Sequence, residues 1–559
     1  MIPIVIVGNR AAVGDPEAPG DTWVGDLEGL VRVVARLEAA THPRWLVSSS
    51  REALEPLVDV GVRVQRCWDI TEVHRILHGG WAADLGRAWA GAHGLDLATL
   101  PTPRRDDLFD HGAADLPTAG LTQPDGHLRP DLFDGSATDD QLRALTTVLS
   151  RTAALQEQQA GRLGPRTVAA AHSESAAAML CVELAHDGLP IDRPTAEDLV
   201  SRAVGPRPRD EMEAARVRAA RDDQVLRLAP GRGHTDLRNP VQVRELLATV
   251  GVTVPNTRAH VLEPFRTTHP LVEALLQWRK DERIATTYGY RWLDDHVHHD
   301  GRLRGGWTAC DGAAGRMTAQ NGLHNLPAQL RPAVAAEPGH VLVRADLGQI
   351  EPRVLAVVSG DRAFAEATRA DDLYAPVAAK LGVERPVAKV AVLAAMYGQR
   401  SGAAGRALGD LERAYPVAMR LLDDAYESGV ARRPLRTWGG RRINLDTMMV
   451  DADDGSRGRF ARNAVIQGSA AELFKAWAAT VRHATAPLGA QIVLCLHDEL
   501  LVQAPEDRAG EVVDAVGQCL TDSARRWSGR SGAPQPSDPD AVRFVADTSV
   551  LHRWSEAKG

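Results

Sequence analysis

Two β-prone runs in this chain lead into acidic residues 152 positions apart, Asp346 and Asp498. In HVLVRADLGQIEPRVLAVVSG (340–360), Val341, Leu342 and Val343 form the run and Asp346 stands at its end. Gln349 to Ser359 then reads as a helix, with Pro352 in its first turn and Gly360 as its stop. In AQIVLCLHDELLVQAPED (490–507), the runs Ile492–Leu496 and Leu500–Val502 flank His497-Asp498-Glu499. That pattern suggests a hairpin with charge at its tip. An ordinary tight turn would favour Gly, Asn or Asp-Gly, and none is present. A carboxylate at a strand end can face a cleft and bind a hard cation through oxygen. It can equally cap the following helix, and a polar tripeptide can be a solvated turn. Both readings stay open on these residues alone.

A third segment, ERPVAKVAVLAAMYGQ (384–399), reads as a helix with Pro386 at its first position and Gly398 as its stop. Lys389, Leu393 and Tyr397 recur every four residues on one side, with Arg385 at the start. The chain has five lysines among 65 basic residues, a bias that GC-rich codon usage explains. A lysine in an apolar helix is costly unless its head reaches solvent or an anion. A triphosphate would serve; a snorkelling lysine on a core helix is the plain alternative.

The chain is 559 residues long, 44% apolar and 25% charged. That composition excludes wholesale disorder and allows several domains with cores of their own. The net charge of −8 argues globally against nucleic-acid binding. It is unevenly placed, however: residues 1–140 carry −10 and the remaining 419 carry +2. A duplex samples local arginines rather than the total. The five cysteines are scattered without a C-x-x-C, which fits neither a disulfide framework nor a zinc site. MIPIVIVGNR lacks a basic leader region and reads as a strand. No apolar run is long enough to span a bilayer, and a cytoplasmic location is expected. Residues 1–96 alternate strand-like runs (Pro3–Val7, Arg44–Val47, Val62–Gln65) with helical stretches (Leu27–Ala40, Trp81–Ala92), an α/β pattern. A stretch rich in Asp, Gly and Pro (97–140) reads as a linker, with a boundary near 140. Residues 141–335 are mostly helical (Asp140–Gly161, Val168–Asp187), and α and β mix again from 336.

In this order and spacing the three segments resemble the family A DNA polymerases, of the bacterial DNA polymerase I type. ADLGQIEPR is similar to motif A, RPVAKVAVLAAMYG to motif B and LCLHDELLV to motif C. GRMTAQNGLHNLP (315–327), GGRRINL (439–445) and RFARNAVIQGSAAELFKAW (459–477) extend the likeness across 141–559. The resemblance implies a multidomain α/β and α protein with a right-hand fold. Thumb would cover about 141–270, palm about 271–360 and 456–559, and fingers about 361–455. It implies a DNA-directed DNA polymerase that adds deoxynucleotides to a primer 3′ end, acting as a monomer on primer–template DNA and dNTPs, away from membranes and on the nucleoid.

By the same resemblance, Asp346 and Asp498 would meet and hold two Mg²⁺ ions, for which Mn²⁺ could substitute. Glu499 would support that site and His497 would lie near the primer terminus. Arg385 and Lys389 would hold the triphosphate, and Lys389 could donate a proton to the pyrophosphate. Gln349, Leu393 and Tyr397 would contact the nucleotide, and Glu351 would exclude a ribose 2′-OH. Arg316, Asn325, Arg459, Asn463 and Gln467 would contact DNA. The chain departs from the family in Leu347-Gly348 for Tyr-Ser, Pro352 for leucine, and Leu393 for an aromatic. Two other activities stay open beside this one: a non-catalytic primer–template binder, which the departures motivate, and a single-subunit RNA polymerase, against which Glu351 counts.

The region before the polymerase is often a 3′–5′ exonuclease in this family. Such a site needs a D-x-E on a strand, two further Asp, and a Tyr or His shortly before the last one. All six tyrosines lie at 288 or later, and no histidine in 1–140 has an Asp five positions on. Asp15/Glu17 falls in a Gly/Pro-rich loop and Asp26/Glu28 at a helix start, where acids favour the helix dipole. PRWLVSSSREALEPLVDVGVRVQRCWDI (43–70) resembles the degenerate N-terminal part of actinobacterial bifunctional exonuclease/polymerases. Residues 1–140 are therefore expected to form a degenerate RNase H-like exonuclease domain without activity.

Overall fold

The computed structural model describes residues 1–14, 21–101, 120–133, 137–229, 235–398, 404–445, 449, 452–529 and 542–557. These form two compact units. The first comprises 1–187, 306–319 and 339–550, and the second 188–305, 320–338 and 551–559.

The first unit contains two larger sheets and two short two-stranded ones among the described residues. Near the N-terminus, β1 (Ile2–Val7), β2 (Arg10–Val13), β3 (Trp23–Asp26), β4 (Arg44–Val47) and β5 (Arg66–Asp69) lie in the order β3-β2-β1-β4-β5. The β1–β4 and β4–β5 pairs are parallel and the β1–β2 and β2–β3 pairs antiparallel. The expected strand at Val62–Gln65 lies four residues later. Gly61 takes a left-handed turn (φ 83°), 62–65 cross over, and the pairing to β4 is made by Arg66–Asp69, with Cys67 and Trp68 buried. The helix expected from Trp81 starts instead at Leu85. Gly79 and Gly80 hold positive φ, and Asp84 accepts from Arg87 N at 2.7 Å as the cap.

Helix α1 (Asp139–Leu163) opens with a reciprocal cap: Thr138 Oγ1 accepts from Gln141 N, and Gln141 Oε1 accepts from Thr138 N. Its apolar face (Leu142, Leu145, Val148, Leu149) shares one core with Val5, Val7 and Trp68 of the sheet. Helix α2 (Pro165–Asp187) follows and packs both on this sheet and on a long helix from the C-terminal third.

The second sheet carries the acidic segments. Its strands are β6 (His340–Leu347), β7 (Gln491–Leu496), β8 (Glu499–Pro505) and β9 (Ala546–Leu551), in the order β7-β8-β6-β9. Helices α3 (Ile350–Ser359), α4 (Arg385–Tyr397) and α5 (Pro416–Val430) pack on α6 (Asp454–Thr485), which packs on the sheet together with α7 (Ala509–Ser528). Gly360 and Gly398 end α3 and α4 in left-handed geometry, as their sequence positions suggest.

The second unit is mainly helical. Helices at 193–204, 211–226, 240–249 and 270–287 enclose a core that includes Val225, Val243, Leu247, Leu271, Leu275 and Trp278. No helix among the described residues is long and apolar enough to cross a membrane.

Candidate active site

Strands β6 and β8 are antiparallel with Asp346 opposite Glu499, and β7 and β8 form the hairpin whose turn is His497-Asp498. His497 adopts a left-handed conformation (φ 56°), which turns the chain tightly enough for Leu347 N to donate to Asp498 O at 2.9 Å. Register thus brings Asp346, Asp498 and Glu499 to one end of the sheet. Burial and the neighbouring Asp498 push the Asp346 carboxyl up to about 6. Burial raises Asp498 as well, with Glu351 and Glu499 adding to the effect. Crowded carboxylates that resist ionising together leave room for a compensating cation.

The donor chemistry fits a hard divalent ion: oxygen ligands only, from two aspartates. Among the described residues no cluster of three or more acidic, histidine or cysteine side chains is arranged to hold a metal. Two carboxylates, with the other positions left to water and substrate phosphates, suit Mg²⁺. Arg344 also reaches this end of the sheet. Its Nη2 donates to Asp346 Oδ2 at 2.6 Å and its Nε to Glu499 Oε1 at 3.0 Å.

A cavity of about 290 Å³ opens beside Asp498. Asp498, His497, Glu351, Gln349, Leu393 and Gln467 line it, with Arg316, Pro352, Tyr374 and Phe474 among the remaining walls. Tyr397 OH donates to Glu351 Oε2 at 3.3 Å. Burial raises the Glu351 carboxyl, and the tyrosine opposes this. Burial and the Arg316 charge lower His497, which favours its neutral form. Arg316 Nη2 donates to Gln467 Oε1 at 3.3 Å, tying two residues expected to touch DNA.

Along α4, Lys389 is exposed, Leu393 half-buried and Tyr397 exposed. Arg385, at the helix start, engages Asp372 with both Nε (2.5 Å) and Nη2 (3.2 Å). Gln349 donates to the same Asp372 at 2.8 Å and accepts from Leu373 N. Arg459 is exposed on α6, where its guanidinium donates to Ser456 Oγ. Asn463 Oδ1, on the same helix, is buried with no partner among the described residues. Asn325 belongs to the second unit, where its carbonyl accepts from Arg283 and Tyr288.

Arg344, Asp372, Tyr374 and Phe474 escaped the sequence reading. Arg344 was within reach of it, since a residue two before Asp346 on a strand shares its face. Asp372 belongs to no motif and is brought in by the loop before the helix Tyr374–Leu381. The departures at 347 and 348 have a physical basis. Leu347 is buried, and a Cβ at Gly348 would meet Val545 Cγ2 at 3.2 Å. Arg353 of the same segment is fully buried and donates to the carbonyls of Gly348, Thr368, Ala370 and Asp371.

In the N-terminal sheet, β1 carries no acidic residue. Asp26 caps the following helix through Gly29 N, and Glu28 pairs with Arg32 on the surface. Asp69 is buried and accepts from Ser50 N, Thr71 Oγ1 and Glu72 N. Asp15 and Glu17 lie outside the described residues.

The chain is similar to known DNA polymerases. The chain is 34% identical over 281 residues to a DNA polymerase I of Chloroflexus aurantiacus, covering 44% of this chain and 30% of that protein. It is 30% identical over 334 residues to the thermostable DNA polymerase I of Thermus filiformis, covering 54% and 38%. The matched stretch thus spans about a third of these relatives. Among solved structures, the POL domain of Pol1 from M. smegmatis, in complex with DNA primer-template and dNTP, superposes with a TM-score of 0.68. That match has 19% identity and covers 99% of this chain and 95% of the other; it speaks to the fold. The sequence profile of DNA polymerase family A matches residues 224–528, more than half the chain and all of the acidic site, and the protein belongs to that family.

Proposed function

We propose that this protein is a DNA-directed DNA polymerase that extends a primer 3′ end on a template. The observation that carries this is that Asp346 and Asp498 lie at one sheet end, with Asp498 in the wall of a cavity also lined by Glu351, Leu393 and Gln467. Asp346 and Asp498 would hold two Mg²⁺ ions, which when bound supply a Lewis acid for the attacking 3′-hydroxyl and the leaving pyrophosphate. Glu499 keeps its carboxylate on Arg344 and so supports the aspartates without ligating. Arg385 and Lys389 bind and orient the triphosphate, and Lys389 can pass a proton to the leaving group. Glu351, held by Tyr397, fills the space a ribose 2′-hydroxyl would need, so deoxynucleotides are favoured. Leu393 packs on the sugar. Arg316, Asn325, Arg459, Asn463, Gln467 and His497 engage DNA through backbone and minor groove, which suits an enzyme that must accept any sequence.

Residues 1–140 are read as an exonuclease-like domain without proofreading, and the polymerase proper as 141–559, with thumb, palm and fingers in the ranges expected from the sequence. The use of Asp26 and Asp69 as caps supports the loss of nuclease chemistry. Primer extension tests the proposal: it should require template, Mg²⁺ and dNTPs, and Asp346→Ala or Asp498→Ala should each abolish it. DNA binding by the wild type with no extension under Mg²⁺ or Mn²⁺ would sink it. Degradation of a labelled single strand, abolished by a substitution within 1–140, would sink the second part.

A further inference from the structure

Arg344 lies two residues before Asp346 on β6, so the two side chains leave the same face of the strand. It is 7% exposed, and its guanidinium meets three carboxylates. Nη2 reaches Asp346 Oδ2 at 2.6 Å, Nε reaches Glu499 Oε1 at 3.0 Å, and Nη1 reaches Asp547 Oδ2 at 3.4 Å. The first two acids are largely shielded, whereas the Asp547 side chain is 77% exposed.

This is an unusual neighbour for an aspartate that holds a divalent ion. A guanidinium does not lose its proton under any condition the protein survives. Its charge therefore stays at this end of the sheet whether or not a metal is present. It can move away only by shifting along its other two partners, of which Asp547 lies farthest toward solvent.

We propose that Arg344 is a positioning residue that sets the metal requirement: a tethered cation that shares Asp346 with the metal. In the metal-free protein it keeps Asp346 and Glu499 in register. On metal binding it cedes Asp346 and is retained by Glu499 and Asp547. Its cost is a weaker metal site than two aspartates alone would make. This rests on the reading of Asp346 and Asp498 as the metal-holding pair. A guanidinium serving only as a strut between β6 and β8 would behave oppositely, because its loss would let Asp346 drift and weaken metal binding.

The test is Mn²⁺ binding to the full chain without DNA or nucleotide, read from the electron paramagnetic resonance signal of free Mn²⁺, with thermal unfolding as a control. Arg344→Gln should lower the Mn²⁺ Kd at least threefold, and Arg344→Lys should stay near wild type. Asp547→Asn, which removes the outer partner, should raise the Kd at least twofold. Unchanged or weaker binding by a folded Arg344→Gln variant overturns the proposal. Should that variant not fold, Asp547→Asn decides, and an unchanged Kd there overturns it. Asp346→Asn with Asp498→Asn separates this from failure of the parent reading. If the double variant binds Mn²⁺ as the wild type does, the aspartates are not the metal site, and both fall together.

Discussion

Lys475 Nζ donates to both carboxylate oxygens of Glu174, at 2.8 and 2.6 Å, and neither side chain reaches solvent. The pair joins α6, which also carries Asn463 and Gln467, to α2, which packs on the N-terminal sheet. Arg441 completes a triad, with Nη2 2.6 Å from Glu174 Oε1. Burial alone would raise Glu174, but Arg441 and Lys475 outweigh it and hold the carboxyl below its usual range. The triad's contribution is thus fully present above the ordinary carboxylate range and is lost only in acid. Glu174→Gln removes the carboxylate that both buried cations contact, leaving Arg441 only the neighbouring charge of Glu472, and should cost about 3–5 kcal/mol in denaturant unfolding. Glu174→Gln combined with Lys475→Met should cost less than the single change, because one stranded charge goes with its partner.

Arg385 offers a kinetic prediction. In the structure its fork is taken by Asp372, and its guanidinium lies 5.8 Å from the centre of the Tyr374 ring. A triphosphate has to compete for it. Asp372→Asn keeps acceptors for Gln349 and Tyr374 N but removes the charge. The KM for dNTP should then fall by at most about fivefold, since exposed ion pairs are weak, with kcat unchanged. A rise in KM in steady-state extension would mean that Asp372 positions Arg385 for the nucleotide rather than competing for it.

The N-terminal sheet carries a pH-dependent pair on one helix. Burial pushes the Glu72 carboxyl up to about 7 and the His74 imidazole down to about 3. Between pH 4.5 and 7 folded Glu72 binds a proton that the unfolded chain lacks, so its contribution falls as pH rises. Between pH 3 and 6.5 unfolded His74 binds a proton that the folded chain lacks, so its contribution falls as pH drops. From 4.5 to 6.5 the two slopes oppose each other. Glu72→Gln removes the first, and the variant's stability should then lose about 1.4 kcal/mol per pH unit more than wild type on acidification through that window. At pH 8 the variant should be the more stable protein. Unfolding curves at pH 5, 6.5 and 8 check both signs.

Much of the candidate site is legible in the sequence, and the reason is local. Asp346 ends a β-run, His497-Asp498-Glu499 interrupts two others, and Gly360 and Gly398 close helices where left-handed geometry is needed. These are signals spelled by neighbours in sequence. The convergence of Asp346 with Asp498 was not of that kind; it depends on β8 pairing with both β6 and β7, which no spacing encodes. The same holds for Asp372, which meets Arg385 across the helix Tyr374–Leu381 that separates them in sequence. The strand at Arg66–Asp69 was misplaced because Val62 and Val64 alternate like a strand, while the hydrogen bonds to β4 are made farther along. The burial of Lys475 could not be anticipated either, since a lone lysine in a helix gives no hint of a glutamate 301 positions away.

Lys389 stands one turn after Arg385 on α4, exposed and facing the side that Leu393 and Tyr397 share. Arginine supplies most of this chain's positive charge, so a lysine here invites the question of what arginine could not do. Lys389→Arg preserves the charge and the reach but not the capacity to release a proton. If Lys389 only clamps the triphosphate, single-turnover extension should proceed near the wild-type rate with a modest change in nucleotide affinity. If it protonates the leaving pyrophosphate, as proposed, the rate should fall by about 100-fold while the apparent dNTP affinity holds within a few-fold. Rapid-quench measurements distinguish the two outcomes, and a wild-type rate for the arginine variant would remove the acid role while leaving the metal site untouched.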